Sequence, residues 1–250
     1  VKKEDWVKRQ ANSYQSKEGF IFVPLLRGFD EIKPIWELLD LVRGRTNGEI
    51  ILCGGYARYC ASPRQEPFKA GDVDVYCETE DAFMQLKEAI DRELKIEYDN
   101  ETAITYKRKR KGKLKGCPKL QIIKPVNRGA MVAKGNVETI ISNFDFTVVR
   151  AAIMSPSEVM VDADFMHDEE HSLIRIKNIH CPISSNLRCM KYAKKGYFLT
   201  PSECMKLFAD WDKRDDSYRN DLINFLIDVD KSGGFSEDEV DRLEAMMRLD

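Results

Sequence analysis

Apolar residues recur at Ile32, Ile35, Leu38, Leu39 and Val42 between Asp30 and Val42. That spacing covers one face of a 3.6-residue turn and predicts an amphipathic helix. The pattern then changes. Glu49 to Cys53 is a short apolar run closed by Gly54-Gly55, and Asp72 to Cys77 (DVDVYC) alternates aspartate with valine. Both read as strands, with a short helix from Tyr56 to Ala61 after the first. Helical spacing returns between Asp81 and Leu94, through Phe83, Leu86 and Ile90. Thr102 to Lys107 and Lys119 to Lys124 read as strands joined by a basic hairpin with Gly112 at its turn. Glu138 to Met154 reads as a helix, Val159 to Ile179 as short strands around an acidic turn, and the chain from Leu187 onward as mostly helix. Near the start, Phe20 to Leu26 is a short apolar run and Lys2 to Tyr14 a polar segment that suits a loose helix. The fold class is therefore α+β: a mixed sheet with flanking helices, followed by a helical C-terminal region. Three regions are expected, an N-terminal extension and helix over 1–44, a sheet domain over 45–180 and a helical region over 181–250.

Charge narrows the functional classes. Lys plus Arg is 40 and Asp plus Glu is 42 in 250 residues, a net charge of -2. A bulk electrostatic grip on nucleic acid is not expected, so any such contact needs a local patch. None of the seven cysteines sits in a CxxC pair. That excludes a zinc ribbon or a thioredoxin-type site and suits a reducing compartment. No apolar stretch is long enough to span a bilayer, and no signal-peptide pattern is visible, so a soluble, cytoplasmic protein with no membrane partner is expected.

The alternation at DVDVYC raises a chemical question. Alternate strand residues share a face, so Asp72 and Asp74 point the same way. Two aligned carboxylates repel and cost desolvation unless a cation lies between them. A hard divalent ion held by oxygen, such as Mg²⁺ bound together with substrate phosphates, suits the pair. Gly54 and Gly55 let backbone approach a ligand closely, and Arg58, one turn on, can add a fork of donors to phosphate. Alone, the glycine pair is compatible with a plain turn and the DxD with a solvated edge. In this order, with a short helix between, they make phosphoryl-transfer equipment.

On these residues the chain resembles a family. GGYAR followed by DVDVY looks like the signature of the nucleotidyltransferase superfamily that includes DNA polymerase beta-like enzymes. More narrowly it is similar to the head and neck of class II CCA-adding enzymes and bacterial poly(A) polymerases. NFDFTVVRAAI (Asn143 to Ile153) looks like that family's RRDFTINAMA element. VDADFMHDEEHSLIRIKN (Val161 to Asn178) sits at its strand, acidic turn and strand, and NLRCMKYAKKGYF (Asn186 to Phe198) is similar to its neck helix, LRAxRFAxxxGF.

The resemblance implies a nucleotidyltransferase-type sheet over 45–180. It implies transfer of a nucleoside monophosphate from a nucleoside triphosphate to a hydroxyl, an RNA or tRNA 3′ end, with release of pyrophosphate. The catalytic residues would be Asp72, Asp74 and Asp145, with Mg²⁺ on Asp72 and Asp74. Gly54, Gly55, Arg58, Arg188 and Lys191 would bind nucleotide. Two departures stand out: Gln121 holds the place of the family's third carboxylate, and Asn143-Phe144 replace its RR. Two alternatives stay open, transfer to a small molecule or protein, and a degenerate, calcium-responsive binding module.

Three further motifs carry candidate chemistry. The basic run Lys107 to Lys115 (KRKRKGKLK) is either a solvated edge that resists aggregation or a finger for RNA phosphates. DVDKSGGFSEDE (Asp228 to Glu239) matches an EF-hand loop, with Ca²⁺ ligands Asp228, Asp230, Ser232, the Gly234 carbonyl, Ser236 and Glu239. Its helices would end near Ile227 and begin near Glu237, and a lone hand can pair with another copy of itself in a homodimer. The competing reading is a capping box from Ser236 to Glu239. His167 and His171, with His180 and Cys181 nearby, have zinc-like spacing, but MHDEEHS reads as a turn, which robs that spacing of geometric meaning.

Overall fold

In a computed structural model, residues 19–64, 72–107, 114–125, 127–128, 131–180 and 182–232 are described. The elements are β1 (Phe20–Pro24), α1 (Phe29–Arg43), β2 (Ile50–Cys53), α2 (Gly55–Ala61), β3 (Asp72–Cys77), α3 (Glu80–Asp91), β4 (Ile96–Asp99), β5 (Ala103–Tyr106), β6 (Lys119–Ile123), β7 (Asn127–Arg128) and β8 (Met131–Val132). They continue with α4 (Val137–Ser142), a 3-10 turn over Thr147–Val149, β9 (Ala151–Ser155), β10 (Glu158–Asp162), α5 (Phe165–His171), β11 (Leu173–Ile174), α6 (Pro182–Ala193), β12 (Phe198–Leu199), α7 (Pro201–Asp212) and α8 (Asp216–Ser232). An eight-stranded mixed sheet runs in the order β1-β10-β9-β2-β3-β6-β5-β4. The expected α+β class, a mixed sheet with flanking helices, holds.

The two faces of the sheet follow from strand alternation. Val73 and Val75 point to one face, with Leu52, Ile104, Leu120, Ile122 and Ile153. The apolar faces of α1 (Ile32, Ile35, Leu39), α2 (Tyr56, Ala57, Cys60) and α3 (Phe83, Leu86, Ile90) cover it. The opposite face carries Ile51, Cys53, Tyr76, Ala152 and Met160 and is covered by α4 through Val137, Ile140 and Ile141. A third cluster, of Phe146, Ile174, Cys189, Tyr192, Tyr197 and Leu207, joins α6 and α7 to the end of the sheet domain.

Four sequence expectations are corrected. Glu138 to Met154 is not one helix: α4 stops at Ser142, and Ala151 to Ser155 is a strand between β2 and β10. A central strand buried on both faces has no alternation to betray it. The acidic turn at MHDEEHS is helix α5. The division at residue 45 does not hold for the described part, because β1 is an edge strand of the same sheet, paired antiparallel with β10, and α1 lies in the same core. The helix expected to end near Ile227 runs to Ser232. Asp228 stands in α8, exposed and 3.5 Å from Lys231, while the side chains of Asp230 and Ser232 lie outside the described residues. Gly234, Ser236 and Glu239 lie outside the described residues, as do Lys2 to Tyr14 and the tip of the basic run, 108–113.

Candidate active site

Gly54 makes the turn from β2 into α2. Its φ of 79° and ψ of -141° lie where residues with a Cβ rarely go. A Cβ there would also sit 3.3 Å from Asp74 Oδ2 and 4.0 Å from the Phe144 ring. Glycine is thus required both for the turn and for the close approach to the carboxylate. The Gly54 N–H donates to the Ala151 carbonyl at 2.9 Å, which ties the turn to β9. A Cβ on Gly55 would meet nothing within 4 Å.

Asp74 stands opposite Cys53 in antiparallel β2 and beside Gln121 in parallel β6, and Gln121 is opposite Thr105 in β5. In-register residues of adjacent strands share a face. Asp74, Gln121 and Thr105 therefore form a polar row on the face that Cys53 and Ala152 continue as an apolar one. The Gln121 amide donates to Thr105 Oγ1 at 3.2 Å. Asp72 lies two residues along β3 on the same face, more exposed and beside Lys119. Lys119 is held by Glu97 at 2.7 Å.

Burial, and then the Asp72 charge, push the Asp74 carboxyl from 3.8 up to about 7, while Lys191 and Arg188 pull against the shift. Two aspartates side by side on one strand face are a donor set of the right chemistry for a hard divalent cation. Among the described residues no group of three His, Cys, Asp or Glu could hold a metal, so Asp72 and Asp74 stand without a third such ligand.

The remaining candidates separate into two groups. Arg188 and Lys191 stand on α6, and their charges favour the ionised form of Asp74. Arg188 Nη1 is also 2.9 Å from Asp145 Oδ2. Asp145 is 3% exposed, Ser185 Oγ donates to it at 3.4 Å, and its carbonyl accepts from the Lys177 and Asn178 N–H groups. Its carboxylate is engaged in holding Arg188, not in completing the aspartate pair.

Arg58 differs more from expectation. It is fully buried, with Nε 3.0 Å from Glu169 Oε1 and 3.1 Å from the Tyr197 hydroxyl. Burial opposes its charge, but Glu169, Tyr192 and Tyr197 outweigh that and raise its pKa. Ser62 Oγ and the Tyr197 hydroxyl also donate to Glu169. This network fastens α2 to α5 and to the segment after α6. Arg58 is thus committed to structure, and its assignment to phosphate is withdrawn.

The histidines form no metal centre among the described residues. Helix α5 does bring His167 and His171 together, with ring centroids 4.4 Å apart. However, His167 Nδ1 is bonded to Asp168, His171 Nδ1 to the His167 carbonyl, and His180 Nε2 to the Asn143 carbonyl at 2.6 Å. Sequence reasoning passed over Arg64 and Lys195, and it named Phe144 only as a departure from the family's RR. Phe144 packs on Tyr76, with ring centroids 5.7 Å apart, and lies at the Gly54 turn, so an apolar ring stands beside Asp74. Lys195 falls four residues after Lys191, and extending the basic helix stripe by one step would have found it.

The fold is of the nucleotidyltransferase type. Solved structures with this fold include a CCA-adding enzyme in an apo form, with TM-score 0.55, 15% identity and coverage of 90% of this chain and 54% of that one. A tRNA-processing enzyme in an apo form has TM-score 0.54, 15% identity and coverage of 90% and 58%. The Thermotoga maritima CCA-adding enzyme complexed with tRNA has TM-score 0.53, 14% identity and coverage of 91% and 55%. This chain spans little more than half the length of those proteins. No curated protein sequence matches it significantly. A family model, the Gabija anti-defense 2 family protein, matches residues 33–171. The chain belongs to that family, and the match runs from α1 to the end of α5, across both aspartates.

Proposed function

We propose that the protein is a metal-dependent nucleotidyltransferase that moves a nucleoside monophosphate from a nucleoside triphosphate to a hydroxyl acceptor and releases pyrophosphate. The observation that carries this reading is Asp74, packed against the Gly54 turn with Asp72 on the same face and the Arg188 and Lys191 charges of α6 acting on it. Asp72 and Asp74 would hold Mg²⁺, which supplies charge neutralisation at the reacting phosphate. Gly54 and Gly55 let the triphosphate approach the backbone. Asp145 fixes Arg188, and Arg188 and Lys191 draw the nucleotide's phosphates toward the aspartates. Gln121, tied to Thr105, leaves the third ligand place to a neutral amide, which favours weak metal retention between turnovers.

The acceptor is a separate question. An RNA 3′ end is the reading that the fold suggests. The family's description adds a second one: the hydroxyl belongs to a component of the Gabija defence, a protein or a small molecule, and its nucleotidylation counters that defence. Incubation of the full chain with each labelled nucleoside triphosphate and Mg²⁺, in parallel with total RNA and with the defence proteins, tests both. Label on RNA supports the first acceptor and label on protein the second. Label on neither, with no pyrophosphate released, contradicts transferase activity. Asp72→Asn and Asp74→Asn each abolish the label if the site is the one described. The EF-hand reading of Asp228 to Glu239 remains a proposal: Ca²⁺ raises the melting temperature and Glu239→Gln removes that rise if the loop binds the ion.

A further inference from the structure

Tyr192 and Tyr197, in edge contact with ring centroids 5.5 Å apart, form a wall at the end of α6. Three cations lie against it. Arg58 is 5.3 Å from the Tyr192 centroid and 4.9 Å from that of Tyr197, Arg64 is 4.1 Å from Tyr197, and Lys195 is 5.0 Å from Tyr192. Glu169 neutralises Arg58 alone. Arg64 gives Nη2 to the Lys195 and Gly196 carbonyls at 3.3 and 3.5 Å, while its Nη1 is buried with no hydrogen-bond partner among the described residues. The Lys195 ammonium has no ion pair or hydrogen bond among the described residues, only the Tyr192 ring.

Burial, then Arg58 and Lys191, lower the Lys195 pKa from 10.5 to about 8, with Asp72 and Glu169 opposing. Among the described residues the cluster is thus short of negative charge, and Arg58, which rests on both rings, stands one helical turn after the Gly54 turn that closely approaches Asp74. Burying unpaired like charges together is costly unless an anion joins them.

We propose that Lys195, with Arg64 and Lys191, forms an anion subsite beside the aspartate pair that takes the terminal phosphates of the nucleoside triphosphate and holds the departing pyrophosphate. This rests on the nucleotidyltransferase reading for its ligand but on the unmatched cations for its existence. In the transfer, the bond between the α-phosphorus and its bridging oxygen breaks, and that oxygen leaves with the electron pair on pyrophosphate. A bond forms to the acceptor oxygen, whose proton goes to solvent. The subsite's positive charges meet the negative charge that develops on the leaving group.

The test is calorimetric binding of inorganic pyrophosphate, ATP and AMP, each with Mg²⁺, to the full chain, to Lys195→Met and to Lys195→Arg. The expected result is that Lys195→Met weakens pyrophosphate and ATP about tenfold, the cost of losing one charge-assisted contact. AMP is unaffected, and Lys195→Arg restores binding. The ligand-free melting temperature of Lys195→Met is unchanged or higher, because methionine keeps the apolar stem while the crowding by Arg58 and Lys191 is relieved. Equal pyrophosphate affinity in the wild type and Lys195→Met, equal losses for AMP and ATP, or a lowered melting temperature each overturns the subsite. Failure of the wild type to bind ATP while pyrophosphate binding still depends on Lys195 overturns the nucleotide reading and leaves the anion subsite standing.

Discussion

Arg58 and Lys195 rest against the same tyrosine ring and behave in opposite ways. Arg58 is sealed on all sides, bonded to Glu169 and Tyr197, and its charge is matched. Lys195 is half-buried, crowded by like charge and without an ion pair among the described residues. One cation is spent on joining α2 to α5; the other meets no counter-charge among the described residues. The same contrast separates Asp145, which has Arg188, from Asp74, whose nearest ionisable partner on the strand is another carboxylate. Matched charge marks architecture here, and unmatched charge marks the candidate site.

The largest effect should come from breaking the matched side. Glu169→Ala leaves Arg58 buried without its carboxylate and should destabilise the protein by about 3–5 kcal/mol, read as a fall in the denaturation midpoint. A loss near zero would mean that Arg58 reaches solvent and is free to bind ligand after all. Gly54→Ala comes next. It forces a Cβ into a backbone conformation close to glycine-only at roughly 1–3 kcal/mol and crowds Asp74 at 3.3 Å. Stability and Mg²⁺-dependent nucleotide binding should fall together.

The unmatched side predicts a pH effect of definite sign. The Asp74 pKa is raised, so between about 4 and 7 the folded protein binds more protons than the unfolded chain. Without metal, stability should therefore fall as pH rises from about 4 through 7, and Asp74→Asn should flatten that slope. Thermal melts across this range, in chelator, check it; a slope that survives in Asp74→Asn assigns the titration to another group. The smallest effect is expected at Asp145→Asn, at about 1–2 kcal/mol of stability. It should also weaken nucleotide binding by freeing Arg188, and nucleotide affinity unchanged by the substitution would break that link.

How much of this was readable in the chain follows the same division. The DVDVYC alternation placed Asp72 and Asp74 correctly, because period-2 burial is a local property. The Gly54-Gly55 turn was equally visible. Arg58 was misassigned because its partner, Glu169, lies 111 residues away in a segment taken for an acidic turn. Asp168 and Glu169 are charged but fully buried, so hydropathy assigned them to the surface. Their burial depends on Arg58 and Arg175, which only the folded chain brings to them. Strand β9 was hidden for the converse reason, since Ala151, Ala152 and Ile153 are apolar on both faces. The role of Asp145 depends on Arg188, 43 residues further along the chain, which no local pattern encodes.

The central claim is that Asp72 and Asp74 hold a metal-bound nucleotide. Its most direct test is the binding of ATP to the full chain by calorimetry, with Mg²⁺ and with chelator, for the wild type and Asp74→Asn. The account predicts Mg²⁺-dependent binding in the wild type and its loss in Asp74→Asn, with the variant still folded. ATP binding of equal strength in chelator, or in Asp74→Asn with Mg²⁺ present, would contradict it.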